Sequence, residues 1–401
     1  MLLFLMTFLL AGLTLHFLLS YQTIKICLTF SGFIAIVVAL FMPFRTILGN
    51  ENSLFAQNNA AFTSTLYSSV RKSSNENFVI SPLSIQAAGA LAFMGADGQT
   101  AKELRIGLHL SDNDTFEVGK IFQTILEEST RDPSVQIANK IFLAEGKQVK
   151  SSFQKVTSQH FFTDTEIVDF SNAKDAADQI NTWVKNVTDC RIKNIVTKNA
   201  INTNTQMILA NAIAFSGGWK RPFEISRTKK RPFWISQTEQ KEVKTMRLLN
   251  KFKFLNSHDL NATILEMDYN NSDISMMIIL PHIRGGLENL ESAIANEDLI
   301  NLSNKLQIHE VVVRIPRFKI KFSTDLCDDK MLENENIKVD QAIHKAYIEV
   351  NEKGTEAAAV TTMAMAPISA RYSRKRFFAD HPFIFVLKSK AAILFIGRYV
   401  K

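Results

Sequence analysis

An α+β fold is what this sequence predicts, and three observations predict it. Segments with a helical spacing of apolar residues dominate the first part of the chain, and strand-like segments dominate the second. No internal repeat and no low-complexity linker is visible after about residue 60. Of 401 residues, 46% are hydrophobic and 21% charged, a balance suited to a folded core and far from that of a disordered chain. One domain over residues 51–401 follows, preceded by a leader over residues 1–50.

The elements read in order. In "SLFAQNNAAFTSTLYSSV" (Ser53–Val70), Leu54, Phe55, Phe62, Leu66 and Val70 recur at a rough helical period. "FVISPLSIQAAGALAFMGADG" reads as a short strand, then Ser81-Pro82, then a small-residue helix ending near Gly95. Pro82 sits where a missing N–H costs least, and Ser81 and Ser84 are placed to cap free backbone donors. "AADQINTWVKNV" is an amphipathic helix. "TQMILANAIAFSGGW" is apolar on both faces and closes on Gly217-Gly218, the pattern of a buried central strand. "ISMMIILP" and "VVVRIPRFKI" are further strands, and "PFIFVLKSKAAILFIGRYV" is strand, turn and strand.

The leader is the compositional anomaly. Leu2–Leu19 and Ile26–Pro43 are two apolar runs, each near the length that spans a bilayer, with Lys25 before the second. We expect a secretory signal, with a retained membrane anchor as the alternative. Five N-x-S/T triplets, at Asn113, Asn186, Asn261, Asn270 and Asn301, are glycosylation candidates in keeping with secretion. Beyond Cys27 in the leader, only Cys190 and Cys327 remain, which read as isolated buried thiols rather than a disulfide framework. Lys25 and Arg45 are the only charges in the first 50 residues, so the rest carries 44 bases against 39 acids. That mild excess, with no basic stripe interleaved with aromatics, excludes nucleic acid as an expected partner.

In this order the segments resemble the serpin family from Ser53 to Lys401. "NFVISPLSI" looks like the segment feeding the family's second helix, and "NAIAFSGGWKRPF" like the strand that ends in its tryptophan, here Trp219. "IHKAYIEVNEKGTEAAAVT" looks like the strand and hinge before the reactive loop, and "FFADHPFIFVL" with "FIGRYV" like the closing strands. "FFADHPF" is closest in appearance to arthropod members. The resemblance implies three β-sheets, about nine helices and an exposed reactive loop at about residues 352–378. It also implies a metastable monomer that acts as a suicide inhibitor. The target protease attacks the loop, forms an acyl-enzyme, and is trapped when the cut loop inserts into the central sheet.

The hinge "NEKGTEAAAV" fits that use. An inserting strand turns alternate side chains into the core. From Thr355 the inward set is Thr355, Ala357, Ala359, Thr361 and Met363, of which the first four are small; Ala358 and the one hinge charge, Glu356, face outward. Gly354 gives the backbone a pivot. A bulky or charged inward residue would overpack the core or bury a charge. A non-inhibitory carrier remains the alternative, although such members carry bulky, charged or proline residues here. With the usual family spacing, counting from Glu352 puts the cut at Ile368-Ser369, after Ala366-Pro367, which suits an elastase-like pocket. Counting back from "DHPF" puts it at Arg371-Tyr372, and "RYSRKR" would attract trypsin-like or furin-like enzymes; the latter would make the protein a secretory-pathway inhibitor of a convertase.

The resemblance also implies a hydrogen-bonded shutter of Ser81, Ser84, Asn211 and His344, and a breach of Trp219, Arg317 and Glu352. No catalytic set is legible: the chain lacks G-x-S-x-G, H-E-x-x-H, Cys-x-x-Cys and Walker patterns, so it is not read as an enzyme. Eight histidines without ligand spacing give no metal site, and no cofactor is implied. Heparin is not supported as a partner, because "FEVGKIFQTILEEST" holds one lysine against three glutamates.

Overall fold

Apolar spacing turns into packing from the first described helix, α1 (53–73), where Phe55, Phe62, Leu66 and Val70 are buried while Leu54 stays exposed. The structure is a computed structural model, and it describes residues 53–112, 114–147, 149–270, 272–325, 341–354 and 374–401. The leader, Asn113, Cys327 and residues 355–373 lie outside them. Strand β1 (Phe78–Ile80) leads into α2 (Pro82–Phe93), which is buried nearly all round. Ser81 caps it, its Oγ accepting from the Ser84 N–H, and Pro82 opens it. Gly89 is required by proximity, since a Cβ there would stand 2.5 Å from Leu108 Cδ2. Then follow α3 (Gly98–Gly107), α4 (Thr115–Thr130), β2 (Val135–Ala144), α5 (Ser151–Phe161), β3 (Thr165–Val168), α6 (Ala173–Val187) and β4 (Met207–Phe215).

The second part is mostly strands: β5 (Lys229–Trp234), β6 (Gln240–Ser257), β7 (Ala262–Asp268), β8 (Ser275–Pro281), the short helix α7 (Leu287–Ile294), β9 (Gln307–Pro316), β10 (Phe318–Asp325), β11 (Gln341–Val350), β12 (Lys375–Phe378), β13 (Phe383–Lys388) and β14 (Ile393–Tyr399). The expected α+β order is therefore present. The counts differ from three sheets and about nine helices: two hydrogen-bonded sheets and seven helices occur among the described residues. The reason lies in β6. Its 18 residues pair with β5 and β9 in the first part and with β7 at the end, which joins nine strands into one ladder. The first strand, β1, pairs with the last, β14, and β13 lies between β14 and β8.

The second sheet has the order β10-β11-β4-β2-β3. Its central strand is apolar on both faces because both are covered. Ile208, Ala210 and Ala212 pack with α6 through Ala177, Ile180 and Val184, while Leu209, Ile213 and Phe215 join the larger core that holds α2. Cys190 departs from the expectation of a buried thiol. It lies in the turn after α6 at φ 63°, where the chain reverses at the surface, and its side chain is exposed.

Candidate functional site

The seam between β4 and β11 is where the singled-out residues meet. These two strands run parallel and pair over seven positions, from Gln341 opposite Ile208 to Tyr347 opposite Ala214. His344 stands directly opposite Asn211, and Asn211 directly opposite Asn139 on β2. A polar row thus crosses three strands on the face that looks toward the start of α2.

Hydrogen bonds fix the chemistry of that row. The Ser81 N–H can only donate, so His344 Nε2, 3.3 Å away, must accept. The imidazole proton then sits on Nδ1, which donates to Asn211 Oδ1 at 2.6 Å. The Asn211 amide donates to Ser84 Oγ at 2.6 Å, to the Ser84 carbonyl at 3.0 Å and to Asn139 Oδ1. Ser81, Ser84, Asn211 and His344 are all buried. Each depends on the next, so parting β4 from β11 breaks the set as a unit. Asn139 was not singled out from the sequence; it is half-buried in "VQIANKIFLA", and its only signal is an amide within a strand.

Burial depresses the His344 pKa to about 3. Protonation would also turn Nε2 into a donor facing the Ser81 N–H. An unfolded histidine titrates near 6.5. Between these values the unfolded chain binds the proton and the folded one does not, so this contribution to stability is whole above pH ~6.5 and is lost as pH falls toward 3. The slope reaches about 1.4 kcal/mol per pH unit inside that window. His344→Gln is expected to flatten the pH dependence of the urea midpoint between pH 4 and 6; an unaltered slope would mean that other groups carry it.

Above the seam the chain turns back on itself. Residues 348–350 of β11 pair with β10 alone, and Asn351–Gly354 is held against the segment after β4. Trp219 N–H donates to the Lys353 carbonyl at 2.9 Å, Trp219 Nε1–H to the Asn351 carbonyl at 3.0 Å, and Phe223 N–H to the Glu352 carbonyl at 2.8 Å. The indole is stacked on Tyr269, with ring centres 4.4 Å apart. Glu352 is buried, with Oε2 3.5 Å from Arg317 Nε and Oε1 accepting from the Thr228 hydroxyl at 2.7 Å. Thr228 is a partner that the sequence reading missed. Gly354 has φ +132°, and a Cβ would stand 2.2 Å from the Gly217 carbonyl oxygen, so only glycine fits both the angle and the space.

The remaining site residues divide by position. Thr355, Ala357, Ala358, Ala359 and Thr361, with both candidate bonds, Ile368-Ser369 and Arg371-Tyr372, lie outside the described residues. The chain resumes at Arg374, whose Nε is 3.1 Å from Glu310 Oε2. Lys375 and Arg376 belong to β12 and pair with Val311 and Val312. The last three residues of "RYSRKR" are therefore held on the nine-stranded sheet. Asn186, Asn261, Asn270 and Asn301 are all exposed.

Comparison with known proteins fits this geometry. The family model described as Serpin (serine protease inhibitor) matches residues 57–401. Serpin B4 of Homo sapiens is 32% identical over 387 residues, covering 87% of this chain and 99% of that protein. The leukocyte elastase inhibitor of Bos taurus is 32% identical over 351 residues, covering 80% of this chain and 92% of its own. Among solved structures, cleaved Serpin 42Da superposes with a TM-score of 0.80 at 32% identity, covering 88% of this chain and 99% of that one.

Proposed function

The chain belongs to the serpin family, and on that premise we propose that it is a secreted suicide inhibitor of serine proteases. The observation that carries the reading is the seam: a seven-pair parallel ladder between β4 and β11, with the chain leaving at Gly354 directly above it. The turn at Asn351–Gly354 reverses the chain. A segment continuing from Thr355 between the two strands would run antiparallel to both. The small inward set Thr355, Ala357, Ala359 and Thr361 suits such a strand. Ser81, Ser84, Asn211 and His344 form the lock that opens for it, and the Trp219, Arg317 and Glu352 contacts restrain its entry. The name of the leukocyte elastase inhibitor agrees with Ile368 as the residue that enters the protease pocket. A furin-like target is less well supported, because Arg374, Lys375 and Arg376 are engaged on the sheet.

The test is incubation with elastase-like and trypsin-like proteases, followed by denaturing gels and sequencing of the C-terminal fragment. A covalent complex with an elastase-like enzyme and a fragment beginning at Ser369 is expected. Ile368→Arg should then move complex formation to trypsin-like enzymes. If Ile368→Arg leaves the preference unchanged while Arg371→Ala abolishes inhibition, the bond is Arg371-Tyr372. Cleavage without complex by every enzyme would leave the carrier reading. Expression with residues 1–50 present reads secretion directly: glycosylated protein in the medium, starting beyond about Arg45, against full-length protein held in carbonate-washed membranes.

A further inference from the structure

A row of arginines on the nine-stranded sheet plays no part in the seam. Strands β5, β6, β9 and β12 lie side by side. Arg247 on β6 stands directly opposite Arg314 on β9, and Arg314 opposite Phe378 on β12. Arg376 precedes Phe378 by two positions and so shares its face. Arg231 on β5 pairs with Val243, which lies on the same side of β6 as Thr245 and Arg247. Four guanidinium groups are gathered on one face of four strands. Like charges directly opposite in a sheet destabilise it, and arginine cannot discharge by losing its proton.

The local groups do not compensate for this. Burial together with Arg231, Arg247 and Arg376 presses the Arg314 pKa downward, and Asp380 opposes them. That carboxylate is already engaged, with Oδ1 2.8 Å from His381 Nδ1 and Oδ2 4.0 Å from Arg284. The Nε atoms of Arg231, Arg247 and Arg314 are buried without a hydrogen-bond partner. Three orphaned donors of one sign in one place call for an acceptor. A cavity of about 140 Å³ is lined by Arg231, Thr245, Arg314, Phe378, Ala379 and Asp380, while Arg247, paired opposite Arg314, stands outside the lining. The Arg314 guanidinium lies over the Phe378 ring, 4.2 Å from its centre, a contact that helps hold the side chain in place.

We propose that this cavity binds a compact oxyanion, of the phosphate, sulfate or small polycarboxylate class, which neutralises the arginine row. Its size admits one such ion and not an extended polymer. Planar guanidinium forks are matched to the oxygens of these anions. The site is separate from the loop chemistry, so occupancy stabilises the sheet and is not required for inhibition.

The test uses the full secreted chain, with thermal melts and calorimetric titration in sodium phosphate or sodium citrate against sodium chloride at matched ionic strength. A saturable rise in melting temperature with phosphate or citrate is expected, beyond that in chloride. Arg231→Gln and Arg314→Gln should each weaken the midpoint about tenfold or more. Lys230→Gln, an exposed position on the other face of β5, should leave it unchanged. In chloride alone Arg247→Gln should melt no lower than the parent, since it removes one of two facing charges. Equal responses in parent, Arg231→Gln and Arg314→Gln would overturn the site. So would binding of a sulfated oligosaccharide through Arg314 when phosphate and citrate have no effect. An Arg314→Gln variant that keeps its phosphate response but associates more slowly with protease would make the row a protease contact instead.

Discussion

Thr355→Arg is expected to turn the protein from an inhibitor trapped with its protease into a substrate that is cut and released. The seam is closed along seven residue pairs, and residue 355 is the first to follow the turn at Gly354. It is therefore the first side chain that would have to pass between β4 and β11. Below it on that face lie the buried Ala346 and Ala342 of β11 and Ile213 of β4. A guanidinium there would be buried without a partner, at a cost of several kcal/mol. Each ~1.4 kcal/mol added to the insertion barrier slows it about tenfold. Deacylation, which the substitution does not touch, then wins, and the yield of covalent complex should fall by roughly a hundredfold. The rate of cleavage at the loop should stay near that of the parent. Full complex formation by Thr355→Arg would show that "TEAAAVT" does not enter the seam.

Cutting the loop anywhere within residues 363–376 should raise the melting temperature by on the order of 10 °C or more. The reason follows from strand directions. Strands β4 and β11 are parallel neighbours, and parallel pairing is the slightly weaker kind. A strand descending from Gly354 would replace that one parallel ladder with two antiparallel ones. On the proposed mechanism, the His344–Asn211 hydrogen bond must break in the process, which would make the closed seam a kinetic trap. The freed strand then meets its own backbone partners on both sides. Scanning calorimetry before and after a confirmed cut reads the effect. Coincident transitions would mean that the cut strand stays out, and the inhibitory mechanism would go with it.

What the sequence showed depended on how local its signals are. Helix α2 was legible because cap, proline and small-residue run lie within one stretch, and β4 because eight apolar residues of nine, broken only by Asn211, allow few other fates. The segment "VVVRIPRFKI" misled in part. It reads as one strand, yet it breaks at Arg317 into β9 and β10, which belong to different sheets. The Arg317 N–H still donates to the Lys244 carbonyl, so the ladder with β6 runs up to the break and the chain changes sheet immediately after it. The joining of nine strands by β6 was not legible, since charged residues alternate irregularly through "QKEVKTMRLLNKFKFLNS" and pairing partners are distant. Within the site, Asn211 and His344 were legible through the resemblance, since they match the family's shutter. Asn139 and Thr228 were not, because their importance comes from register and from a contact across 124 positions of sequence.

The pairing of β1 with β14 bears on how the molecule is made. Phe78 lies opposite Arg398, so a strand from the start of the domain finds its neighbour only when the end has been synthesised. On the ribosome β1, α1 and α2 must wait, with their apolar faces uncovered, through translation of nearly the whole domain. Local helices form early, and the long-range ladder is the slow step. The loop emerges before β12, β13 and β14, at a time when the five-stranded sheet already has all its strands but the nine-stranded one does not. Delay at that stage gives residues 355–368 time to slip into the seam before their far end is anchored at β12. On the proposed mechanism, a slow codon tract or a truncation after residue 374 should therefore divert nascent chains into an inserted form that does not inhibit, whereas prompt release of β13 and β14 should favour the form with the loop free.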